Sequence, residues 1–507
     1  MKVLIVSTFL LFCHKVINAQ VSFSGLSLPY GKYDVGFTHY VTNDNTRTYV
    51  RLYDWNKRVL ARPIPISIWF PSQQKSKNSL MTIEDYMVVL KEEEEWEELP
   101  NDRILDWFYY SNSVTNKSHL KEKVKAQNNT SPLQKKFPIV IYAPGYQASS
   151  VENFALCEFL ASHGFIVISS PGRGTENRFL GGGTTRDIET QARDLEFLIN
   201  EVGNKPYADI NNCAVMGFSF GGISNVLAQM MNKRIAAIVC LDGSIKYQYQ
   251  KILLSPYYDL SKVDVPFIFM SQKDIPQKVM TEDNIDTALN TKFEFYDSLK
   301  YSNAYYLKFN DLTHAYFSSM GILFQDRDAR QDKSDSAIMN SYKWVNIYTL
   351  NFLNAFLNKN NQAKIFLENK PEENGVAIET IVKKSKEPVL KDLSFEDFNL
   401  LASRQNYQDL NNLLTTIKKD NPTFQPEEWK LNNLGLSLLF KNKLQEGINV
   451  LILNTSLFPK SANTYDSLGE GYLIMGVKKK AFENFRKSLE LNPQNQNAID
   501  RLKELGN

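Results

Sequence analysis

Cysteine is scarce in this chain: four residues in 507, with no Cys-x-x-Cys pair. That excludes a disulfide-dense scaffold and a cysteine zinc site. An excess of one charge is missing too. Lys plus Arg number 58 against 56 Asp plus Glu, and setting aside residues 1–19, which carry Lys2 and Lys15 and no acid, leaves 56 of each sign. A balanced chain offers no electrostatic footprint for nucleic acid and no polybasic face for a membrane surface. Long apolar runs are confined to the start. Val3 to Cys13 falls short of the roughly 20 residues that cross a bilayer, and no other stretch is long and apolar enough to do so. Histidine, with five residues, leaves few candidates for any catalytic base.

What is present suits a sizeable globular protein. Hydrophobic residues make up 43% of the chain, enough for a substantial core, and the length suggests two or three domains. Lys2, the apolar run after it and Ile17-Asn18-Ala19 before Gln20 have the order of a secretory signal, so a soluble chain exported to the periplasm or outside is expected. Phe12 is too bulky to make Cys13 a lipid-modified residue. Cys157, Cys213 and Cys240 each sit in an apolar segment and are expected as buried free thiols.

Three patterns follow along the chain. From about 37 to 70, β-prone segments alternate with turns. Residues 72–136 interrupt that rhythm with a short apolar helix (Ile83 to Leu90), the acidic run Glu92 to Glu95 and a polar stretch. They read as an insertion whose helices lie over one face of the core, the acids being a solvated helix end. From Phe137, short apolar runs alternate with amphipathic helical segments: Phe137–Ala143, Phe165–Ser169, Cys213–Gly217, Ile235–Leu241, Val265–Met270 and Ala304–Phe309. Such alternation implies a mostly parallel sheet covered on both faces. The expected sheet-containing domain covers 20–360, and the polar stretch 361–392 reads as a linker. Beyond Leu393 no strand signal remains. Leu434-Gly435 recurs 34 residues on as Leu468-Gly469, and the same offset relates Leu438 to Tyr472, Gly447 to Ala481, Leu451 to Phe485 and Pro459 to Pro493. That spacing resembles the tetratricopeptide repeat. Residues 393–507 are therefore expected to be all helical, with 394–422 as a further, degenerate helix pair and a protein or peptide as a possible partner.

The motif that carries chemistry is Gly217-Phe218-Ser219-Phe220-Gly221-Gly222, between a strand-like run and a helical one. This is the setting of a nucleophile elbow, whose glycines permit a turn tight enough to lift Ser219 off the strand end. A serine hydroxyl needs a base. His39 and His119 precede the nucleophile, and His163 lies where a helix ends. His314 follows the last strand-like run, after serine and acid, and is assigned as the base. Two acids compete to orient it: Asp242, at the end of one apolar run and before Gly243, and Asp274, at the end of the next and beside Lys273. The apolar setting of Asp242 favours it. Two backbone amides are needed for the oxyanion, one from Phe220 and one from the loop Ala143-Pro144-Gly145-Tyr146-Gln147, where Tyr146 is the candidate.

With these residues in place, the chain resembles the α/β-hydrolase superfamily, and within it the branch holding platelet-activating-factor acetylhydrolase and dienelactone-hydrolase-related esterases. The resemblance is carried by Arg62 to Pro71, Phe137 to Tyr146, Gly217 to Gly222, Leu241-Asp242 and Thr313-His314, over roughly 50–330. It implies an α/β-hydrolase fold, a Ser219–His314–Asp242 triad and an esterase. The acetylhydrolase branch places its acid one strand earlier than most of the superfamily, which matches Asp242. The chain departs from the pattern at Ala143-Pro144-Gly145, where His-Gly is usual, and in the insertion and the Gly181-Gly182-Gly183 loop. Arg173 and Arg178 are candidates for binding an anionic group on the substrate, against the plainer alternative that they are solvated or paired structurally. No metal or organic cofactor is implied. A small-molecule or lipid ester, short-acyl or lipid-like, is the expected substrate. Peptide hydrolysis by the same triad and a binding protein with a vestigial hydrolase domain are the other readings.

Overall fold

The computed structural model describes residues 22–506 apart from 53, 74–79, 97, 109, 283–284, 325–329 and 390–391. The expected signal at 1–19, Cys13 included, lies outside the described residues. The chain divides into two compact units, residues 1–389 and 390–507.

The first unit is built on one sheet. Its strands are β1 (Asp34–Val50), β2 (Val59–Ser72), β3 (Leu80–Thr82), β4 (Lys123–Gln127), β5 (Phe137–Ala143), β6 (Ile166–Ser169), β7 (Ala208–Phe218), β8 (Ile235–Leu241), β9 (Phe267–Ser271), β10 (Ala304–Phe309) and β11 (Ile381–Lys386). They lie in the order β11-β10-β9-β8-β7-β5-β6-β2-β1-β4-β3. From β6 through β10 every neighbouring pair is parallel, while β1, β2 and the outer strands bring antiparallel pairings.

Every residue of β8 but Ala236 is buried, and so is every residue of β9, as expected where both faces are covered. The two-residue side-chain period then sorts each strand between two cores. On β7, Ala214, Met216 and Phe218 pack on one face with helices Phe154–Ser162 and Asp335–Phe356. Cys213 and Val215 pack on the other with helices Thr185–Gly203 and Phe220–Met231. An α/β-hydrolase architecture with a separate helical region is therefore present. Cys157, Cys213 and Cys240 are buried and free, and burial pushes the Cys213 thiol up to about 12.

Two expected boundaries need correction. Residues 361–392 are not simply a linker: Asn361–Glu368 is helical, and β11 pairs antiparallel with β10 along its whole length. The polar composition there reflects an edge strand whose residues are mostly half-buried or exposed. The insertion also contributes more than helices, since β3 and β4 lengthen the sheet beside β1.

In the second unit, helices Glu428–Phe440 and Leu444–Leu457 recur 34 residues on as Ala462–Ile474 and Lys478–Leu491. The repeated glycine has a steric reason. A Cβ on Gly435 would lie 2.6 Å from Leu451, and one on Gly469 would lie 2.7 Å from Phe485, so each pair of helices approaches where only glycine fits. Helices Phe395–Arg404 and Leu410–Asp420 supply Phe398, Leu410 and Leu414 to the core that holds Leu431, Leu438 and Val450. The degenerate pair thus packs on the repeated ones.

Candidate active site

Strand register brings the site together. Phe218 at the end of β7 lies beside Leu241 at the end of β8, and Leu241 lies beside Met270 of β9. Met270 in turn lies beside Leu307 of β10. Residues just past these ends emerge at one edge of the sheet: Ser219 after β7, Asp242 after β8 and His314 after β10.

Ser219 occupies a sharp turn with φ 51° and ψ −118°, a conformation that a non-glycine residue holds only when its surroundings enforce it. The enforcement is visible. The Ser219 amide donates to the Leu241 carbonyl at 3.1 Å, and the Ser244 amide donates to the Ser219 carbonyl at 2.7 Å. On the other side, a Cβ on Gly221 would sit 2.1 Å from the Ala143 carbonyl oxygen, so any side chain there would drive the elbow off β5.

The Ser219 hydroxyl lies 2.9 Å from His314 Nε2, and His314 Nδ1 lies 2.6 Å from Asp242 Oδ2. Donation from Ser219 to Nε2 and from Nδ1–H to the carboxylate satisfies all three groups with one imidazole tautomer. Asp242 is fully buried and has φ 42°. Its other oxygen accepts the Tyr247 hydroxyl at 3.0 Å and the Gln272 amide at 3.1 Å. The Gln272 side-chain oxygen accepts the His314 backbone amide at 3.1 Å, and the Phe218 ring stacks on the imidazole at 4.9 Å. Asp274 is elsewhere engaged: both its oxygens accept from Lys308 Nζ, at 2.9 and 3.1 Å, on an exposed surface. Of the two acids, the structure brings Asp242 alone to His314.

Phe220 opens the helix whose N-terminus follows the nucleophile, where unpaired amides and the helix dipole favour negative charge. Tyr146 lies in the loop after β5, its ring edge-on to Phe220 at 5.8 Å. Its hydroxyl donates to the Leu180 carbonyl and accepts the Gly182 amide, each at 3.1 Å. The Gly181-Gly182-Gly183 loop is thereby tied to the candidate oxyanion loop.

A cavity of about 660 Å³ opens beside Phe218 and His314. Much of its wall comes from the insertion: Trp96, Trp107, Phe108 and Tyr110, facing Phe179 and Phe218. Trp96 stacks on Phe108 at 5.7 Å, and the Arg178 guanidinium lies 4.6 Å over Trp96 and 4.5 Å over Phe179. These wall residues carry no local sequence motif; only the fold gathers them.

Glu92 is exposed in the last turn of its helix, as expected of a solvated helix end, but the rest of the acidic run is not, which corrects the expectation for Glu93 to Glu95. Glu93 is buried and accepts the Ser149 hydroxyl at 2.5 Å, the Ser150 amide at 3.0 Å and the Ser150 hydroxyl. Arg173 donates to the Glu93 carbonyl and pairs with Glu95 at 3.5 Å. Arg178 donates to the Glu94 carbonyl at 2.5 Å and pairs with the Glu94 carboxylate. Both arginines are therefore buried structural partners of the insertion, and of the two only Arg178 borders the cavity.

Residues 153–259, about a fifth of the chain, match the family model described as the prolyl oligopeptidase family. The match spans the elbow and Asp242 and stops before His314. The architecture is of the α/β-hydrolase kind, and the family match falls on the part of it that carries Ser219 and Asp242. Among solved structures, the fold is similar to a ferulic acid esterase from Streptomyces cinnamoneus. That likeness has 15% identity and a TM-score of 0.48, covering 71% of this chain and 98% of that one. No curated protein matches the sequence.

Proposed function

We propose that the chain is an exported serine esterase acting through a Ser219–His314–Asp242 triad and an acyl-enzyme. The observation that carries the reading is the 2.9 and 2.6 Å contacts from serine to imidazole to buried carboxylate. In this account Ser219 Oγ attacks the ester carbonyl while His314 Nε2 takes its proton. Asp242 holds the tautomer and stabilises the imidazolium. The carbonyl oxygen gains the negative charge and is met by the Phe220 and Tyr146 amides. His314 returns the proton to the departing alcohol, the C–O bond breaks, and water then releases the acid by the same steps in reverse order.

The aromatic wall supports an ester with an apolar acyl or alkoxy group, since flat apolar rings exclude water from the bond being cleaved and offer a peptide backbone few hydrogen-bond partners. At about 660 Å³ the cavity leaves room for more than a short acyl chain. Peptide hydrolysis is the second reading, favoured by the match to the prolyl oligopeptidase family over 153–259. Parallel assays of p-nitrophenyl esters and peptide p-nitroanilides decide between them. The esterase reading expects turnover of the esters, extending to bulky acyl groups, and little of the anilides. The opposite preference would overturn it. The paired helices of 428–491 are proposed as a tetratricopeptide-like partner-binding region. Should Ser219→Ala leave the physiological activity intact, the binding role would displace the enzymatic one.

A further inference from the structure

The active-site cavity holds a carboxyl group that the triad chemistry does not use. Glu152 lies just past the loop that follows β5. Its Oε2 accepts the Gly145 amide at 2.9 Å and the Tyr142 hydroxyl at 3.2 Å. Its backbone carbonyl accepts the Met320 amide at 3.1 Å, which ties the same residue to the segment after His314. A Cβ on Gly145 would lie 3.3 Å from Glu152 Oε1 and 3.5 Å from Ser219 Cβ. The carboxyl and the nucleophile thus flank a single glycine, one residue before the oxyanion candidate Tyr146. Glu152 also lines the cavity together with His314.

The loop needs holding. Gln147 has φ 57°, a left-handed backbone that a non-glycine residue adopts at a cost. Its far side is pinned by side chains: Gln147 accepts the Leu180 amide at 3.0 Å and donates to the Arg178 carbonyl at 2.7 Å. On the near side, Gln191 donates to the Pro144 carbonyl at 3.1 Å, and the Ala148 amide donates to the Gly145 carbonyl at 3.2 Å. The Gly145 amide is held by Glu152.

We infer that Glu152 is a positioning residue for the oxyanion site: its carboxyl clamps the Gly145 amide so that the neighbouring Tyr146 amide is aimed at the carbonyl attacked by Ser219. This rests on the serine-hydrolase reading of the site. The ionised carboxylate makes the stronger, charge-assisted clamp. It also faces the imidazolium that forms on His314.

Burial pushes the Glu152 carboxyl up to about 7, against the Gly145 amide, the Tyr142 hydroxyl and His314, which pull it down. The other titratable groups around it are Tyr110 from the insertion, whose own ionisation Glu152 opposes, and the Glu94–Arg178 pair along the same cavity. Protonation of Glu152 as the pH falls through about 7 therefore slackens the clamp. The acid limb of the rate profile then carries the protonation of Glu152.

The test uses the full chain, p-nitrophenyl acetate, and kcat and KM measured from about pH 5 to 9. Glu152→Ala is expected to lower kcat about ten- to hundredfold, with KM changed less than about twofold, the signature of a contact that matters in the transition state. Glu152→Gln keeps an acceptor for Gly145 but cannot ionise. It should retain kcat within about fivefold and make the acid limb shallower by the one protonation that Glu152 contributes. An unchanged kcat in Glu152→Ala, with Ser219→Ala inactive, would overturn the inference and leave the serine hydrolase standing. So would an acid limb in Glu152→Gln as steep as that of the wild type. Activity retained in Ser219→Ala would instead remove the reading on which the inference rests. If Glu152→Ala does not fold, the profile of Glu152→Gln decides.

Discussion

The floor and the wall of the site are held in place by different means. The floor is made of strand ends: hydrogen-bond register sets Ser219, Asp242 and His314 at one edge of a sheet buried on both faces. The wall is made of Leu90, Trp96, Trp107, Phe108 and Tyr110 of the insertion, fastened through Glu93, Glu94 and Glu95 to Arg173, Arg178, Ser149 and Ser150. A sheet in register tolerates no small adjustment, because moving one strand moves the whole triad. A wall fixed by side chains can change its shape while the triad stays put. Chemistry belongs to the first kind of scaffold and substrate selection to the second.

The largest effect should come from the floor. Asp242→Asn is expected to keep the fold yet lower kcat about 10⁴-fold, because the neutral amide favours the wrong imidazole tautomer; steady-state kinetics beside a melting curve checks it. Next comes the fastening of the wall. Glu93→Ala removes the buried acceptor of the Ser149 hydroxyl and the Ser150 amide and leaves the Ser150 hydroxyl with Ser67, and should cost about 2–4 kcal/mol in urea unfolding. The turnover number for a small acetate ester should survive it at temperatures where the variant is folded. If acetate turnover fell as far as in Asp242→Asn, the division between floor and wall would be wrong.

Much of the floor was legible in the sequence because its signals are local. The elbow is six consecutive residues, and the apolar runs of β5 through β10 alternate with helices as a parallel sheet requires. The choice between Asp242 and Asp274 was not fixed by the strand pattern, since each follows an apolar run. Partners decide it in three dimensions: Tyr247 and the Gln272 amide meet Asp242, whereas Lys308 takes Asp274. The wall was opaque. Four acids in succession look solvated until Arg173 and Arg178, some 80 residues on, are folded against the last three. Glu152 was missed for a related reason, as nothing in the local sequence shows that its carboxyl meets Gly145. The strand β11 was hidden by its own lysines, which suit a half-exposed edge.

Smaller effects sharpen the comparison. Phe108→Ala opens the aromatic wall and should raise KM for bulky acyl esters about five- to twentyfold while leaving acetate within about twofold, read from an acyl-length series. The smallest change belongs to the acid outside the site. Asp274→Asn breaks an exposed ion pair with Lys308 and should shift stability by less than about 0.5 kcal/mol, with kcat unchanged.

The most direct test of the central claim is covalent labelling by a fluorophosphonate, with the modified residue located by mass spectrometry. The account predicts one adduct, on the peptide carrying Ser219, and its loss in His314→Ala. An adduct on another serine, or labelling of Ser219 that proceeds equally well without His314, would contradict it.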